Sequence, residues 1–147
     1  MTKITKSIEI EASPEKVWAF LTNIEKINET AKGFAEYTQT SKGPMGVGST
    51  VHVISKAGGS QIEADMEVTE FEKNKKFTMR TVGASKFKME QIITLEPTAK
   101  GTKAAFNANY TMPYSILGKI VDKLRVQKEV EKSLDKQSSA MKKALEA

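Results

Sequence analysis

The chain has 147 residues, 39% of them hydrophobic and 28% charged. That length and balance fit one globular domain, residues 1–147, and exclude a disordered chain. Its 23 Lys and Arg against 18 Asp and Glu give a net charge of +5, and it has no cysteine, which excludes disulfides and thiolate chemistry and fits a reducing compartment.

The excess of positive charge does not point to nucleic acid. In Lys128-Glu129-Val130-Glu131-Lys132 the basic residues interleave with acids, the pattern of a solvated helix face rather than a phosphate track. Nucleic acid is therefore not an expected partner, while weak attraction to an anionic membrane surface stays open. The first ten residues lack the apolar run of a signal peptide, and no stretch reaches the length of a spanning helix. The expected location is the cytoplasm.

In chain order, Ile4 to Glu11 alternates, with Ile4, Ile8 and Ile10 on one face, and predicts a half-buried strand. Ser13 and Pro14 form a helix start, an N-cap followed by a proline whose missing N–H costs nothing there. Val17, Trp18, Phe20 and Leu21 follow in a short helix ending near Thr22. A second short helix spans Ile24 to Thr30 and is stopped by Gly33.

The middle is strand-rich. Strands are predicted over Phe34–Thr40, Ser49–Ser55, Gln61–Phe71, Lys76–Val82, Phe87–Glu96 and Thr102–Met112, divided by turn-forming clusters such as Lys42-Gly43-Pro44-Met45-Gly46. Gln61 to Phe71 alternates Ile62, Ala64, Met66 and Val68 against Glu63, Asp65 and Glu67, a strand with one wet face. Short turns between successive strands imply an antiparallel meander. From Tyr114 to Leu145 the pattern is helical. Leu117, Ile120, Val121 and Leu124 form one apolar stripe, and Val130, Leu134, Met141 and Leu145 form a second, roughly a quarter turn away. The helix bends near Arg125–Gln127, or two helices meet there, or its halves face different partners; the first half can then act as a lid.

The order is thus one strand, two short helices, six strands and a long helix. This is an α+β architecture in which a seven-stranded curved antiparallel sheet wraps a long C-terminal helix. Two short helices cannot cover such a sheet; the long helix can, and an apolar cavity can remain between them.

Several segments carry a resemblance. They are Ile8 to Leu21, Val47-Gly48-Ser49, Val68 to Glu72 with Phe77-Thr78-Met79-Arg80, Leu95-Glu96-Pro97, and Gly101-Thr102-Lys103. In this order they resemble the START-like helix-grip superfamily (SRPBCC), in particular its polyketide cyclase/dehydrase and lipid-transport branch. The resemblance implies the helix-grip fold and a container for a lipophilic molecule. That superfamily also holds enzymes and chaperone partners, so the activity does not follow from the fold.

Alternation assigns an inward face: Ile62, Ala64, Met66 and Val68; Phe77, Met79 and Thr81; Phe87, Met89, Gln91, Ile93 and Leu95; Ala104, Phe106, Ala108 and Tyr110. The helix adds Leu117, Ile120 and Leu124. From these, the expected ligand-binding set is Met66, Phe77, Met79, Met89, Gln91, Phe106, Tyr110, Leu117, Ile120 and Leu124. The methionines suit a cavity that adapts to its ligand, or simply fill a core. Tyr110 and Gln91 can orient a ligand by hydrogen bonds, or serve the rim and the backbone.

His52, the only histidine, can act as an acid or base, but it faces solvent if Val51 and Val53 point inward. Tyr110, His52 and Gln91 are the catalytic candidates. Glu63, Asp65 and Glu67 lie on the wet face without histidine or cysteine partners there, so no metal is expected. No phosphate loop or nucleophilic set is found, and no cofactor is called for. Trp18 anchors its helix over the sheet.

Three functions fit. The first is a carrier or sensor for a lipophilic small molecule. The second is a polyketide cyclase or dehydratase, which folds its substrate and moves protons with one or two polar groups. The third is a protein-interaction module of the chaperone-partner kind. The scarcity of inward titratable groups favours the carrier over the enzyme.

Overall fold

The computed structural model describes residues 2–57, 60–83, 88–111 and 121–147. Seven strands are present: β1 (Thr2–Ile10), β2 (Ala35–Gln39), β3 (Thr50–Ala57), β4 (Ser60–Glu72), β5 (Lys76–Val82), β6 (Lys88–Pro97) and β7 (Thr102–Thr111). Three helices accompany them: α1 (Pro14–Leu21), α2 (Ile24–Thr30) and α3 (Val121–Glu146). One sheet runs in the order β1-β7-β6-β5-β4-β3-β2, and every pairing is antiparallel. The meander from β2 to β7 is therefore closed on one side by the first strand, with Thr2 opposite Tyr110 and Ile10 opposite Thr102.

Local chemistry sets the helix starts. Ser13 Oγ accepts from the Lys16 N–H at 3.3 Å, with Pro14 in the first turn. Asn23 Oδ1 accepts from the Lys26 N–H at 3.2 Å. Each side chain satisfies an N–H that the helix cannot. Beyond α2 the chain turns at Gly33, whose φ of +93° suits a residue without a Cβ.

The alternation of β4 is interrupted. Val68 pairs with Met79 and Glu70 with Thr78, so Thr69 is an extra, bulged residue. That one insertion shifts the phase of everything after it. Phe71 now shares the inward face with Phe77, and both rings meet Trp18 of α1 edge-on, at centroid distances of 4.9 Å and 6.1 Å. Trp18 is buried there and fastens α1 to the sheet.

Gly101 opens β7 where the chain passes under β1. A Cβ at this position would collide with the carbonyl oxygen of Ile10 and lie 2.7 Å from the Ala12 nitrogen. The next residue, buried Thr102, donates its hydroxyl to the Ala12 carbonyl at 2.7 Å. A glycine followed by a threonine therefore lets two backbone segments touch and then ties them.

Helix α3 is continuous through Arg125–Gln127. It packs on β1 and β7 through Leu134, Ser138 and Met141, all nearly inaccessible to solvent. Lys6 pairs with Asp135 at 2.9 Å. At the far end, Lys142 Nζ donates to the Glu9 carbonyl at 2.7 Å and to Glu146 at 2.8 Å, and Glu146 accepts from the Glu11 N–H at 2.9 Å.

Two expectations are corrected. Leu124 does not face the sheet; it is 70% exposed. It precedes Leu134 by ten residues, which at 100° per residue leaves it roughly 80° around the helix. Ile62 is 42% exposed, because α3 lies over β1 and β7 rather than over the start of β4. Leu117, Ile120 and Phe87 lie outside the described residues.

Candidate functional site

The inward face of the sheet and the three helices enclose an apolar pocket of about 80 Å³ that is partly open to solvent. The sheet supplies its floor through Tyr37, Val51, Phe77, Met79, Ile93 and Phe106. Phe20 and Leu21 of α1, with Ile24 and Ile27 of α2, form one wall; the opposite wall is α3, at Gln137, Ala140 and Met141. Phe34 and Met45 come from the loops flanking β2. No charged side chain is among these lining residues.

Four lining residues are polar, and three of them are engaged. Thr30 donates its hydroxyl to the Ile27 carbonyl at 2.9 Å. Gln91 of β6 donates to Gln137 Oε1 at 2.8 Å, and Gln137 donates onward to Ser133 Oγ at 3.3 Å. This chain of amides joins the sheet to α3 across the pocket wall. The fourth is Tyr37. Its hydroxyl has no hydrogen-bond partner among the described residues, and burial pushes its pKa up to about 12. The phenol therefore keeps its proton at neutral pH.

Tyr37 is held by its backbone. It sits at the centre of β2, the edge strand of the sheet. Asn28 of α2 accepts from the Tyr37 N–H at 2.8 Å and donates to the Tyr37 carbonyl at 2.7 Å. One side-chain amide thus replaces the neighbouring strand that an edge lacks. It docks α2 and sets the position of Tyr37 together.

Of the residues singled out from sequence, the structure brings Phe77, Met79, Gln91 and Phe106 together on the pocket wall. Met66 is buried and Met89 half-buried in the core, and neither lines the pocket. Tyr110 is also buried away from it, at the β7–β1 pairing. Desolvation raises the Tyr110 pKa, a hydrogen bond with Thr2 acts against that, and the charge of Glu131 adds to the rise.

His52 is on the other face. Val51 and Val53 are buried, and the imidazole lies outside between Asp65 at 2.8 Å and Glu63 at 3.3 Å. Hydrogen bonds to Asp65 and then Glu63 raise its pKa above 6.5. His52 bonds both carboxylates, so the acidic row has a histidine beside it against expectation, and no metal-holding cluster occurs among the described residues. Nor is any helix among them long and apolar enough to cross a membrane.

Sequence reasoning missed Tyr37 and the α1–α2 wall. The sequence carried a signal: Phe20 and Leu21 end α1, and Ile24 and Ile27 lie about one turn apart on α2, more apolar surface than is needed to anchor two turns each. Tyr37 carried none, because five residues of edge strand do not say which face is inside.

Residues 1–146 match the family described as polyketide cyclase/dehydrase and lipid transport. None of the curated proteins matches the chain. Among solved structures, a protein from Thermus thermophilus superposes with a TM-score of 0.84 at 17% identity, covering 98% of this chain and 97% of that one. A START superfamily protein from Mycobacterium smegmatis gives 0.76 at 16% identity, with 98% and 97% covered. The Aha1 dimer from Colwellia psychrerythraea gives 0.68 at 21% identity, with 99% and 97% covered. At these identities the likeness is one of fold, the START-like helix grip.

Proposed function

The chain belongs to the polyketide cyclase/dehydrase and lipid transport family, and from that premise we propose that it binds a lipophilic small molecule in the pocket between the sheet and α1, α2 and α3, as a carrier or sensor. The observation that carries this reading is a wall without a charged side chain that nevertheless opens to solvent. An apolar cleft with a few placed polar groups is the usual form of a small-molecule site.

Size qualifies the guest. About 80 Å³ is well below the roughly 300–1,000 Å³ of most ligand pockets. A lipid-sized guest enters only if wall side chains move. Met45, Met79 and Met141 are suited to that, being unbranched and adaptable in shape. Burying about 300 Å² of ligand surface gives roughly 7 kcal/mol gross at ~25 cal/mol/Å². Lost freedom removes several of those, which leaves roughly millimolar affinity for a guest of that size, and tighter binding needs more buried surface.

A catalytic role finds less support. His52 lies on the opposite face, and Tyr37, the titratable group among the described lining residues, holds its proton firmly. Neither is placed to accept a proton from a guest.

The test is a fluorescence titration with the neutral probe N-phenyl-1-naphthylamine. Saturable enhancement is expected with the wild type. Ala140→Phe, which fills the pocket from α3, should weaken it at least tenfold without lowering the thermal midpoint. Absence of saturation, or equal binding by a folded variant, would overturn the reading.

A further inference from the structure

We infer that the pocket selects a neutral, mainly apolar molecule bearing a carbonyl group, whose oxygen accepts a hydrogen bond from the Tyr37 hydroxyl. This rests on the container reading above and goes further, by naming the chemical group recognised and the atom that recognises it.

Of the four polar lining residues, Tyr37 is the one whose side chain makes no hydrogen bond among the described residues. A polar group inside an apolar pocket is either paired within the protein or available to a guest. Thr30 is paired with its own helix, and Gln91 and Gln137 with each other and Ser133. Tyr37 lines the same pocket, and its hydroxyl has no partner among the described residues. The hydroxyl is reachable by solvent, so water covers it in the unliganded protein and an acceptor on a guest takes that water's place.

The direction of the bond follows from the phenol, which has one proton to give and holds it. An acceptor on the guest is therefore the complement. Charge follows from the wall. A carboxylate there would meet no Lys, Arg or His among the lining residues, and a buried unpaired charge is strongly disfavoured. Shape follows from Phe20, Phe77 and Phe106, which give the cavity an aromatic lining. The Asn28 amide holds the Tyr37 backbone at the open sheet edge through both its N–H and its carbonyl, which lowers the ordering cost at binding.

The experiment compares three small probes by ¹⁵N NMR titration of the whole chain: acetophenone, its hydrocarbon isostere α-methylstyrene, and benzoate. The quantity read is the ratio of ketone to hydrocarbon affinity. Tyr37→Phe should lower that ratio about two- to tenfold, the range of one neutral hydrogen bond. Benzoate should bind at least tenfold more weakly than acetophenone.

If both neutral probes bind and the ratio is the same in Tyr37→Phe, the inference is overturned while the container stands. Benzoate binding as tightly as the ketone overturns it too. If neither neutral probe binds the wild type, the container reading falls and this one with it. A second measurement needs no variant. The Tyr37 ¹³Cζ resonance of the wild type should move on adding acetophenone and hold still with α-methylstyrene; a resonance indifferent to the ketone refutes the assigned contact.

Discussion

Replacing Asn28 by alanine removes two hydrogen bonds at once, those of 2.8 Å and 2.7 Å to the Tyr37 N–H and carbonyl. Each is worth about 1 kcal/mol net. Both backbone groups are partly buried, so water replaces the lost partner only in part. The expected loss is about 2 kcal/mol, which for a chain of this size is a fall of roughly 4–8 °C in thermal midpoint. Urea unfolding of the wild type and Asn28→Ala measures it. Asn23→Ala is the internal control, since it removes the N-cap of the same helix and should cost about 1 kcal/mol. Asn28→Asp separates the two bonds. It keeps the acceptor for the Tyr37 N–H but sets a carboxylate oxygen against the Tyr37 carbonyl, so it should be no more stable than the alanine variant. A loss under about 0.5 kcal/mol for Asn28→Ala, or one no larger than for Asn23→Ala, would show that α2 does not hold β2 in this way.

Two further predictions concern stability. His52 gains Asp65 and Glu63 on folding, so its pKa in the folded state is above the 6.5 of the unfolded chain. The bound proton favours the folded form, and the contribution is complete below pH 6.5 and is lost as pH rises through the folded-state value. His52→Gln should flatten that part of the stability profile, and an imidazole titrating at or below 6.5 by NMR would contradict the pairing. Gly101→Ala drives a Cβ into the Ile10 carbonyl at a positive φ; overpacking and backbone strain together should cost about 3 kcal/mol. Denaturation unchanged within about 0.5 kcal/mol would show that β1 and β7 can separate there freely.

The meander, the first strand and the long helix were legible in the sequence because each has a strong periodic signal, whereas the pairing of that strand with β7 was not, since periodicity does not report a partner so distant in the chain. Ser13-Pro14, Gly33 and the turn clusters marked boundaries that the structure keeps. The inward face was legible where cross-strand neighbours repeat the pattern, as at Phe77, Met79, Gln91 and Phe106. It failed where a single local event resets the phase or where cover ends. The bulge at Thr69 moves Phe71 to the inside against the count by twos. Ile62 keeps its phase but lies beyond the cover of α3. Tyr37 matters through a tertiary contact, the Asn28 amide at an open sheet edge, and no periodicity reports such a contact. Tyr110 drew attention as an inward polar residue, yet it sits four residues beyond Phe106 on β7, opposite Thr2 of β1 and past the pocket. Alternation gives the side of a sheet; it does not give the position along it.

The closing of the sheet by its first strand has a consequence for the order of assembly. Strands β2 to β7 each pair with their sequence neighbour, whereas β1 waits for β7, and α3 then packs on β1. Contacts between distant segments form late, because their loops are costly to close. The floor and the α1–α2 wall of the cavity can thus exist before its α3 wall arrives from the end of the chain. A hydrophobic guest present during synthesis would be enclosed by the last step of folding rather than admitted afterwards. Pulse-labelled hydrogen exchange would reveal this as late protection of β1 and α3, and simultaneous protection of all strands would exclude it.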